Sequence, residues 1–393
     1  MELALAGVSA ERALVALPRE AGVPGLVGGA AARVCVWHDD YGVYRQDQAA
    51  VGEGSVLSPE GTISPPPSVG EGEGGGESGS PPPRPSPVKG EGKTSGIPDS
   101  MTFAPRPEGG PFDLAVVCLP KGGAAIEWAF AAVSAVMRAG ARVMVVGEKR
   151  SGIRSCRPLI ERHIGAVQGS QSARHCVLIE ARKTVEPPAF DGRRRFTVAA
   201  LGNAFAAVSL PGVFSHGELD EGTAFLLDHL GDQPFTSALD WGCGCGVIGA
   251  ALALANPDAA VDLVDLHVMA LEAARQTLRL NGLDPERVSP SDIFSDVPGR
   301  YDLIVSNVPF HAGHAADRSV AERFIRQAPD HLTPAGRLII VANAFLKYEP
   351  VLRGSFSSVN IIAGDNRYKV LAATEASSAT RPPIGATSKP PRR

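Results

Sequence analysis

The amino-acid sequence predicts an α/β protein whose C-terminal part is a doubly wound, mostly parallel sheet of seven strands. From residue 201 onward, apolar strand-like runs alternate with helical segments, which is the pattern of a parallel sheet covered on both faces. A glycine-rich loop also follows the first of these strands, where ligands bind in such sheets. A shorter α/β pattern lies upstream, so we expect an N-terminal domain over residues 1–200 and a second domain over 201–375.

The strands of the second domain are predicted at near-continuous apolar runs. They cover residues 237–241, 260–265, a short run before Asp292, 301–307, 337–342, 359–363 and 368–373. Helices are predicted between them, over residues 247–255, 268–280 and 318–331. Because no long helix separates the last two strands, we expect them to form an antiparallel hairpin at one edge of the sheet.

The N-terminal domain contains one clear βαβ unit. It consists of a buried strand over residues 112–120, a helix over 124–139 that ends at Gly140, and a second buried strand over 141–147. Such a unit predicts parallel strands joined by a right-handed crossover. No glycine-rich loop opens this unit, and only a weak strand signal, over residues 32–37, precedes it.

Residues 51–110 interrupt the N-terminal domain with a different composition. They contain 14 Gly and 12 Pro and almost no apolar periodicity. Such a stretch cannot bury enough apolar surface to offset the entropy lost on ordering. We therefore expect a disordered Gly/Pro-rich insertion over 51–110, and a disordered tail over 376–393 for the same reason.

Charge and cysteine content limit the classes of function. The chain has 38 Lys and Arg against 42 Asp and Glu, a net charge of −4, so no overall basic field indicates nucleic acid. The six cysteines are scattered, and none forms a Cys-x-x-Cys pair, so we expect neither a disulfide framework nor a metal site. No membrane span or secretion signal stands out, which predicts a cytoplasmic protein.

The glycine loop, Asp240-Trp241-Gly242-Cys243-Gly244-Cys245-Gly246, joins a predicted buried strand to a helix. Its glycines allow a tight turn and close approach of a ligand to the backbone. Two fingerprints overlap here: one glycine set fits the S-adenosylmethionine (SAM) loop of methyltransferases, and the other, which extends to Gly249, fits a dinucleotide loop. The loop alone leaves both cofactors open.

Three aspartates lie at or just after the ends of successive strands beside this loop. Asp240 favours SAM over a dinucleotide, because a carboxylate suits the amino group and sulfonium of SAM better than it suits a pyrophosphate. Asp265, at the end of the next strand, is placed to bind a ribose diol with either cofactor. Asp292 is a candidate acceptor for the adenine amino group, with an exposed turn aspartate as the alternative interpretation.

The tetrapeptide Asn307-Val308-Pro309-Phe310 follows the fourth strand and indicates methylation of an exocyclic amino group. The nitrogen of a conjugated NH2 group is a poor nucleophile, because its lone pair is delocalised. Hydrogen bonds from that NH2 to the Asn307 side-chain oxygen and to a backbone carbonyl would direct the lone pair at a methyl group. Phe310 offers a flat face for a base that has left its stack. Asn307, Pro309 and Phe310 are therefore the predicted catalytic residues.

Several segments together resemble one known family. They are Leu210-Pro-Gly-Val-Phe-Ser215, Leu219-Asp-Glu-Gly222, the glycine loop, the tetrapeptide with His311, and Val341-Ala-Asn-Ala-Phe-Leu346. They resemble the bacterial small-subunit 16S ribosomal RNA guanine-N2 methyltransferases of the RsmC type, a class I SAM-dependent family with a methyltransferase small domain. Residues 119–121, 146–152 and 172–176 are similar to that family's N-terminal domain, which looks like a duplicated methyltransferase fold without its cofactor site.

The resemblance implies a seven-stranded Rossmann-like methyltransferase sheet, SAM as the methyl donor, and a guanine N2 of ribosomal RNA as the acceptor. It implies that the 307–310 segment holds the guanine. The residues that it implies for SAM are Asp220, Gly222, Asp240, Gly242, Gly244, Gly246, Asp265, Asp292 and Asn307. The family usually has Asn-Pro-Pro-Phe, and Val308 replaces the first proline here. Proline restricts φ to about −65°, so Val308 predicts a less rigid loop.

Residues 148–195 contain 11 Lys and Arg against 5 Asp and Glu, a local net charge of 11 − 5 = +6. On a chain of negative net charge, this stretch is where we expect phosphate contacts with RNA, and a solvated face with scattered ion pairs is the alternative.

Three other functions remain open at this point. Two are methylations with similar acceptor chemistry, of a guanine N2 in large-subunit ribosomal RNA or of a protein glutamine side chain. The third is a non-catalytic protein that only binds RNA.

Overall fold

The computed structural model describes residues 10–17, 31–51, 56–57, 63–64, 100–173, 175–231, 234–297, 299–309 and 315–376. The chain forms two compact units, Met1–Phe190 and Asp191–Arg393. The C-terminal unit thus includes the whole hairpin of residues 194–209, whose first strand lies upstream of the predicted boundary at residue 200. That hairpin is tied to this unit because Asn281 and Thr277 accept hydrogen bonds from its Ala206 and Val208 N–H groups.

The N-terminal unit contains nine strands and three α-helices among its described residues. In chain order they are β1 Ala10–Ala16, β2 Ala31–His38, α1 Tyr41–Val51, β3 Val56–Leu57, β4 Ile63–Ser64, β5 Ser100–Phe103, β6 Phe112–Cys118, α2 Gly123–Ala135, β7 Met137–Glu148, α3 Arg157–His163, β8 Val167–Ala173 and β9 Cys176–Arg182, with a 3-10 turn at Ile153–Ser155.

The C-terminal unit contains nine strands and five α-helices in the part of it that the structure describes. They are β10 Arg194–Ala200, β11 Asn203–Ser209, α4 Glu221–His229, β12 Ser237–Trp241, α5 Val247–Ala255, β13 Ala260–Asp265, α6 Val268–Leu280, β14 Val288–Pro290, β15 Tyr301–Asn307, α7 Ala315–Gln327, β16 Leu332–Asn343, α8 Glu349–Arg353, β17 Phe356–Gly364 and β18 Tyr368–Ala376. Two 3-10 turns, Pro285–Arg287 and Ala328–His331, precede β14 and β16.

Each unit is built on one seven-stranded sheet, and the two sheets have the same topology. The order is β5-β2-β1-β6-β7-β9-β8 in the N-terminal unit and β14-β13-β12-β15-β16-β18-β17 in the C-terminal unit. In both sheets the five strands that come first in the chain pair in parallel, and the last two form an antiparallel hairpin at one edge. The predicted α/β fold class is therefore confirmed, including the closing hairpin and the duplicated N-terminal fold.

The most regular elements of the C-terminal sheet were predicted with their observed bounds. Strands β12, β13 and β15 and helices α5 and α6 begin and end at the predicted residues. Their apolar side chains form the core between the sheet and its helices. In α6 the buried positions recur with helical spacing, so local pattern and burial agree.

Two predicted helix ends are wrong. Helix α2 ends at Ala135 and not at residue 139, because the Phe112 N–H donates to Val136 O at 2.9 Å and draws the following residues into β7. Gly140 consequently lies inside β7 and not at a helix end. Helix α7 ends at Gln327, and a 3-10 turn follows, because Pro329 has no N–H to continue the α-helical pattern.

The predicted insertion over 51–110 is too long at its C-terminal end. Ser100–Phe103 forms β5, which pairs in parallel with β2, and Met101 is fully buried. The Trp37 indole N–H also donates to Ala104 O at 2.7 Å. This short strand was not predicted because the Gly and Pro content was taken over the whole of residues 51–110. Most of the insertion, and residues 377–393 of the predicted tail, lie outside the described residues.

The predicted βαβ unit supplies β6 and β7, and the N-terminal sheet is extended by β1, β2 and β5 on one side and by β9 and β8 on the other. Among the described residues, no helix is long and apolar enough to cross a membrane.

Candidate active site at the carboxyl edge of the C-terminal sheet

The glycine loop after β12 has three left-handed glycines with different surroundings. Gly242, Gly244 and Gly246 have φ values of 70°, 54° and 78°. A Cβ added at Gly242 or Gly244 would meet no atom within 4 Å. A Cβ at Gly246 would lie 3.0 Å from the Ala274 Cβ. The first two glycines therefore border open space suited to a ligand, whereas the third allows the loop to pack on α6.

Gly249, the extra glycine of the overlapping dinucleotide fingerprint, lies in α5. A Cβ there would approach Leu263 of β13 to 2.5 Å. Close packing of the helix on the sheet therefore explains this glycine without reference to any ligand.

Asp240, the residue before the last one of β12, is fully buried. Its Oδ2 accepts a hydrogen bond from the Gly249 N–H at 2.8 Å. Its Oδ1 is buried and receives no hydrogen bond from any described residue. Burial, assisted by the nearby Asp265 carboxylate, raises the pKa of Asp240 to about 7. An unsatisfied buried carboxylate oxygen is suited to a cationic ligand group such as the amino group of SAM.

Asp265 joins the glycine loop to the start of α6. Its Oδ2 accepts from the Gly244 N–H at 2.9 Å, and its Oδ1 accepts from the His267 N–H at 2.9 Å. Burial raises the pKa of Asp265, while these two backbone N–H groups oppose the rise. Each carboxylate oxygen has a second lone pair, so hydroxyl groups of a ribose can still donate to them.

Asp292 lies after β14, half-buried, with its Oδ1 3.4 Å from the Arg323 guanidinium. The next residue, Ile293, has a φ of 57°, which is unusual for a β-branched residue. Trp241 holds this conformation, because its indole N–H donates to Ile293 O at 2.8 Å. The strained turn keeps Asp292 at the same sheet edge as Asp240 and Asp265.

Asn307 ends β15, and its side-chain amide is oriented by α4. Its Nδ2 donates to Asp220 Oδ2 at 2.8 Å and to Thr223 Oγ1 at 3.0 Å. Asp220 is also the N-cap of α4 and accepts from the Thr223 N–H at 2.8 Å. The carboxylate can only accept, so the amide nitrogen must face it, and Asn307 Oδ1 must point elsewhere. No described residue donates to that oxygen.

Gly222 serves this arrangement through its small size. A Cβ at Gly222 would lie 3.1 Å from the Tyr368 ring and 3.1 Å from Asp220 Oδ2. Arg367, beside Tyr368, forms an ion pair with Glu221 at the start of α4. The turn between β17 and β18 therefore packs directly on the helix end that holds Asn307.

Val308 and Pro309 are described, whereas Phe310 and His311 lie outside the described residues. Val308 is 3% exposed and belongs to a core cluster that includes Trp241 and Phe324. Packing of its side chain therefore restrains the backbone after Asn307, where a proline ring would do so in the usual motif.

The equivalent positions of the N-terminal unit carry other residues. Leu17 N–H donates to Trp37 O just as Gly242 N–H donates to Val264 O, so Leu17 occupies the place of Gly242. His38, the residue after Trp37, correspondingly takes the place of Asp265, and burial lowers its pKa to about 4. By register, Cys118 takes the place of Asn307. Leu17 is buried, whereas the space beside Gly242 is open.

The cysteines of the glycine loop are poor candidates for chemistry. Burial raises the pKa of Cys245 to about 12 and raises that of Cys243. Where the chain is described, no group of three or more His, Cys, Asp or Glu residues is arranged to hold a metal ion.

Sequence reasoning missed Thr223, the second acceptor for the Asn307 amide. The signal was present as a helix N-cap, since Asp220 is followed three residues later by a hydroxyl-bearing residue. It also missed the contact of Tyr368 with Gly222, which has no local signature.

Comparisons with known proteins find methyltransferases that are similar to this chain along most of its length. A family model described as Methyltransferase small domain matches residues 204–372, and one described as Methyltransferase small domain N-terminal matches residues 92–196. The Ribosomal RNA small subunit methyltransferase C of Aeromonas hydrophila is 40% identical over 276 residues, 69% of this chain and 80% of that relative. The protein of the same name from Pseudoalteromonas translucida is 38% identical over 265 residues, 67% of this chain and 77% of that relative.

One solved structure is similar along nearly the whole chain. It is the T. thermophilus 16S rRNA N2 methyltransferase (RsmC) in complex with AdoMet and guanosine. The TM-score is 0.69 at 25% identity, and the match covers 93% of this chain and 88% of that one.

Proposed function

The chain belongs to the ribosomal RNA small subunit methyltransferase C family, and we propose that it methylates the exocyclic N2 amine of a guanine in 16S ribosomal RNA with SAM as the donor. The observation that carries the proposal is the orientation of Asn307. Its amide nitrogen is engaged by Asp220 and Thr223, which leaves Oδ1 as an acceptor at the carboxyl edge of the sheet.

SAM supplies a methyl group bound to a positively charged sulfur. The residues that would hold it are those bordering the open part of the glycine loop. Gly242 and Gly244 allow close approach, and Asp240 Oδ1 would accept from the SAM amino group. Asp265 would bind the ribose hydroxyls, and Asp292 would bind the adenine amino group.

Asn307 prepares the acceptor nitrogen. Its Oδ1, together with a backbone carbonyl of the 307–310 segment, accepts hydrogen bonds from the guanine N2 hydrogens. These bonds favour a pyramidal nitrogen whose lone pair points at the methyl carbon. The new N–C bond forms as the C–S bond breaks, and the methylated nitrogen then loses one proton to solvent. Phe310 would stack on the guanine ring.

RNA phosphates would contact part of the basic 148–195 stretch. Several of its cations are already paired, namely Arg157 with Glu161, Arg162 with Glu127, Lys183 with Glu186 and Arg193 with Asp191. Arg150 and Arg154 are exposed and follow the carboxyl end of β7. We assign the phosphate contacts in the N-terminal unit to these two residues, and a cytoplasmic location follows from ribosomal RNA as the substrate.

The test is methyl transfer from labelled SAM to small ribosomal subunits that lack the modification, followed by nucleoside analysis. Label in N2-methylguanosine of 16S ribosomal RNA is the expected result. Label only in large-subunit RNA, or only in protein glutamine, would overturn the proposed substrate. Absence of SAM binding by calorimetry would indicate a non-catalytic relic. Asn307→Ala should lose transfer and retain SAM binding, whereas parallel loss of both would refute its assigned role.

A further inference from the structure

The side chains of Asn307 and Tyr368 lie on the same face of the C-terminal sheet. Asn307 of β15 pairs in register with Val341 of β16. Tyr368 of β18 pairs with Asn343, two residues further along β16. Paired residues, and residues two apart along a strand, point to the same side of a sheet. The helix α4 contacts β15, β16 and β18, so one helix connects the strand of Asn307 to the strand of Tyr368.

The Tyr368 ring packs on the first turn of α4. A Cβ added at Gly222 would lie 3.1 Å from the ring Cε1 and 3.4 Å from Cδ1, so the glycine lets the ring approach the helix backbone closely. The ring centroid also lies 6.2 Å from that of Phe225, three residues further along the helix. The Arg367 guanidinium, 5.2 Å from the same Tyr368 centroid, pairs with Glu221. Two adjacent residues of the β17–β18 hairpin therefore hold the first turn of α4.

The same turn of α4 carries both acceptors of the Asn307 amide. Asp220 Oδ2 accepts from Asn307 Nδ2 at 2.8 Å, and the Thr223 hydroxyl accepts from the same nitrogen at 3.0 Å. The Thr223 N–H also donates to Asp220 Oδ2 at 2.8 Å. Gly222, on which the Tyr368 ring packs, lies between these two acceptors in the chain. A displacement of Gly222 would therefore move both groups that orient Asn307.

The N-terminal unit has neither the amide nor the aromatic ring at the equivalent positions. By the register that equates Cys118 with Asn307, Cys176 is the counterpart of Tyr368. Cys176 pairs with the last residue of β7, just as Tyr368 pairs with the last residue of β16. Cys176 is exposed, and its sheet nevertheless has the same topology, including the closing hairpin. Formation of the hairpin consequently does not require an aromatic residue at this position.

We propose that Tyr368 is a positioning residue for methyl transfer. This inference rests on the proposed function, in which Asn307 Oδ1 accepts from the guanine amine. The ring fixes Gly222, and the same helix turn holds Asp220 and Thr223 in place. These two acceptors set the direction in which Asn307 presents its oxygen. Without the ring, the turn can shift, and a misplacement of about 1 Å can cost roughly 100-fold in rate. Tyr368 acts through these groups and not on the substrate itself.

The experiment compares Tyr368→Ala, Tyr368→Leu and Tyr368→Phe with the wild-type chain. Val359→Ala is the matched control, because Val359 pairs with Ala373, whose side chain points to the other face of the same hairpin. We expect Tyr368→Ala to lower kcat about 10- to 100-fold and to leave the KM for RNA and the Kd of SAM unchanged. Tyr368→Phe keeps the ring and should retain most of kcat. Thermal melts report folding, and if Tyr368→Ala is unfolded, Tyr368→Leu, which keeps apolar volume without the flat ring, takes its place.

A double-mutant cycle with Asp220→Ser separates positioning from a general loss of packing. Serine can still cap α4 but is too short to hold the Asn307 amide. If the ring acts through Asp220, adding Tyr368→Ala to Asp220→Ser should lower kcat much less than Tyr368→Ala does alone. Val359→Ala should have the same effect on kcat in both backgrounds.

Two results would overturn the positioning role. One is that the effects of Tyr368→Ala and Asp220→Ser on kcat multiply independently, and the other is a loss in Tyr368→Phe as large as that in Tyr368→Ala. If the wild-type chain methylates no ribosomal RNA, the proposed function fails and this inference fails with it. Methylation by the wild type with an unaffected kcat of Tyr368→Ala would refute the positioning role alone.

Discussion

The Asn307 side-chain amide donates from Nδ2 to Asp220 Oδ2 at 2.8 Å, and this bond joins the end of β15 to the N-terminus of α4. The two residues are 87 positions apart in the chain. Asp220 thereby determines which face of the amide is an acceptor. Asp220 is therefore both the N-cap of α4 and the group that orients the Asn307 amide.

Replacement of Asp220 tests that role. Asp220→Ser keeps a side chain able to cap α4 but is too short to hold the Asn307 amide. We expect kcat for methyl transfer to fall at least tenfold, roughly the value of one charge-assisted hydrogen bond. Thermal unfolding should change little. Asp228→Ala, an exposed position of the same helix, is the control, and equal activity of the two variants would contradict the assignment.

Alanine substitutions at two glycines of the loop should affect SAM binding and thermal stability differently. Gly242→Ala and Gly246→Ala share the strain of a left-handed backbone, about 1–2 kcal/mol. Gly242→Ala additionally places a methyl group in the open space proposed for SAM, so the Kd of SAM should rise at least tenfold. Gly246→Ala additionally crowds Ala274, so its Tm should fall further than that of Gly242→Ala. Calorimetry and thermal melts measure both effects. If Gly246→Ala raised the Kd of SAM more than Gly242→Ala did, and Gly242→Ala lowered the Tm more, the surroundings assigned to the two glycines would be contradicted.

Asp240 should make stability depend on pH near neutrality. Its pKa is raised to about 7 in the folded protein. The protonated carboxyl is therefore favoured by folding, and this contribution is complete below the unfolded pKa near 4 and is lost as the pH rises through 7. Without SAM, the free energy of unfolding should fall between pH 5 and 8. Asp240→Asn should flatten that dependence. Identical pH profiles for wild type and Asp240→Asn would contradict the raised pKa.

The opposite pH dependence is expected at Asp302, at the other end of β15. Hydrogen bonds from the Thr236 side chain and N–H, aided by Thr333 and Ser237, lower the pKa of Asp302 to about 2. The ionised carboxylate stabilises the fold above the unfolded pKa near 4, and this contribution is lost as the pH falls through 2.

Asp302→Ala should therefore lower the free energy of unfolding by roughly 1–2 kcal/mol at pH 7, measured by denaturant titration. The difference from wild type should shrink as the pH falls from 4 toward 2. Asp258→Ala, an exposed aspartate in the same unit, should show no such difference. A pH-independent gap would refute the ionic origin.

Arg150 and Arg154 should govern RNA affinity without affecting SAM. Replacing both with alanine should weaken binding to ribosomal RNA and reduce the slope of log Kd against log salt by about one for each phosphate that is no longer neutralised. Arg157→Ala is the control, because Arg157 is already paired with Glu161 at 2.8 Å. If the control weakens RNA binding as much, the phosphate contacts do not depend on Arg150 and Arg154.

The regular elements were predictable because their information is local. Helix α6 carries its apolar stripe, and Asn281 and Gly282 follow its last residue. Strand β15 is one apolar run before the tetrapeptide. The ends of α2 and β7 were not predictable, because residues 136–139 suit a helix and only pairing with Phe112 makes them part of a strand.

The position of the candidate site was likewise predictable from Asp240, the glycine loop and Asn307, because the carboxyl ends of parallel strands meet at one edge of the sheet. The direction in which Asn307 presents its oxygen is a different kind of property. It depends on Asp220 and Thr223, which the chain brings to β15 only when α4 packs on the sheet. The contact of Tyr368 with Gly222 is also tertiary, because the residues around either one give no local sign that the other lies beside it. Hydrogen bonding and packing between distant segments decided both, and no periodicity encodes them.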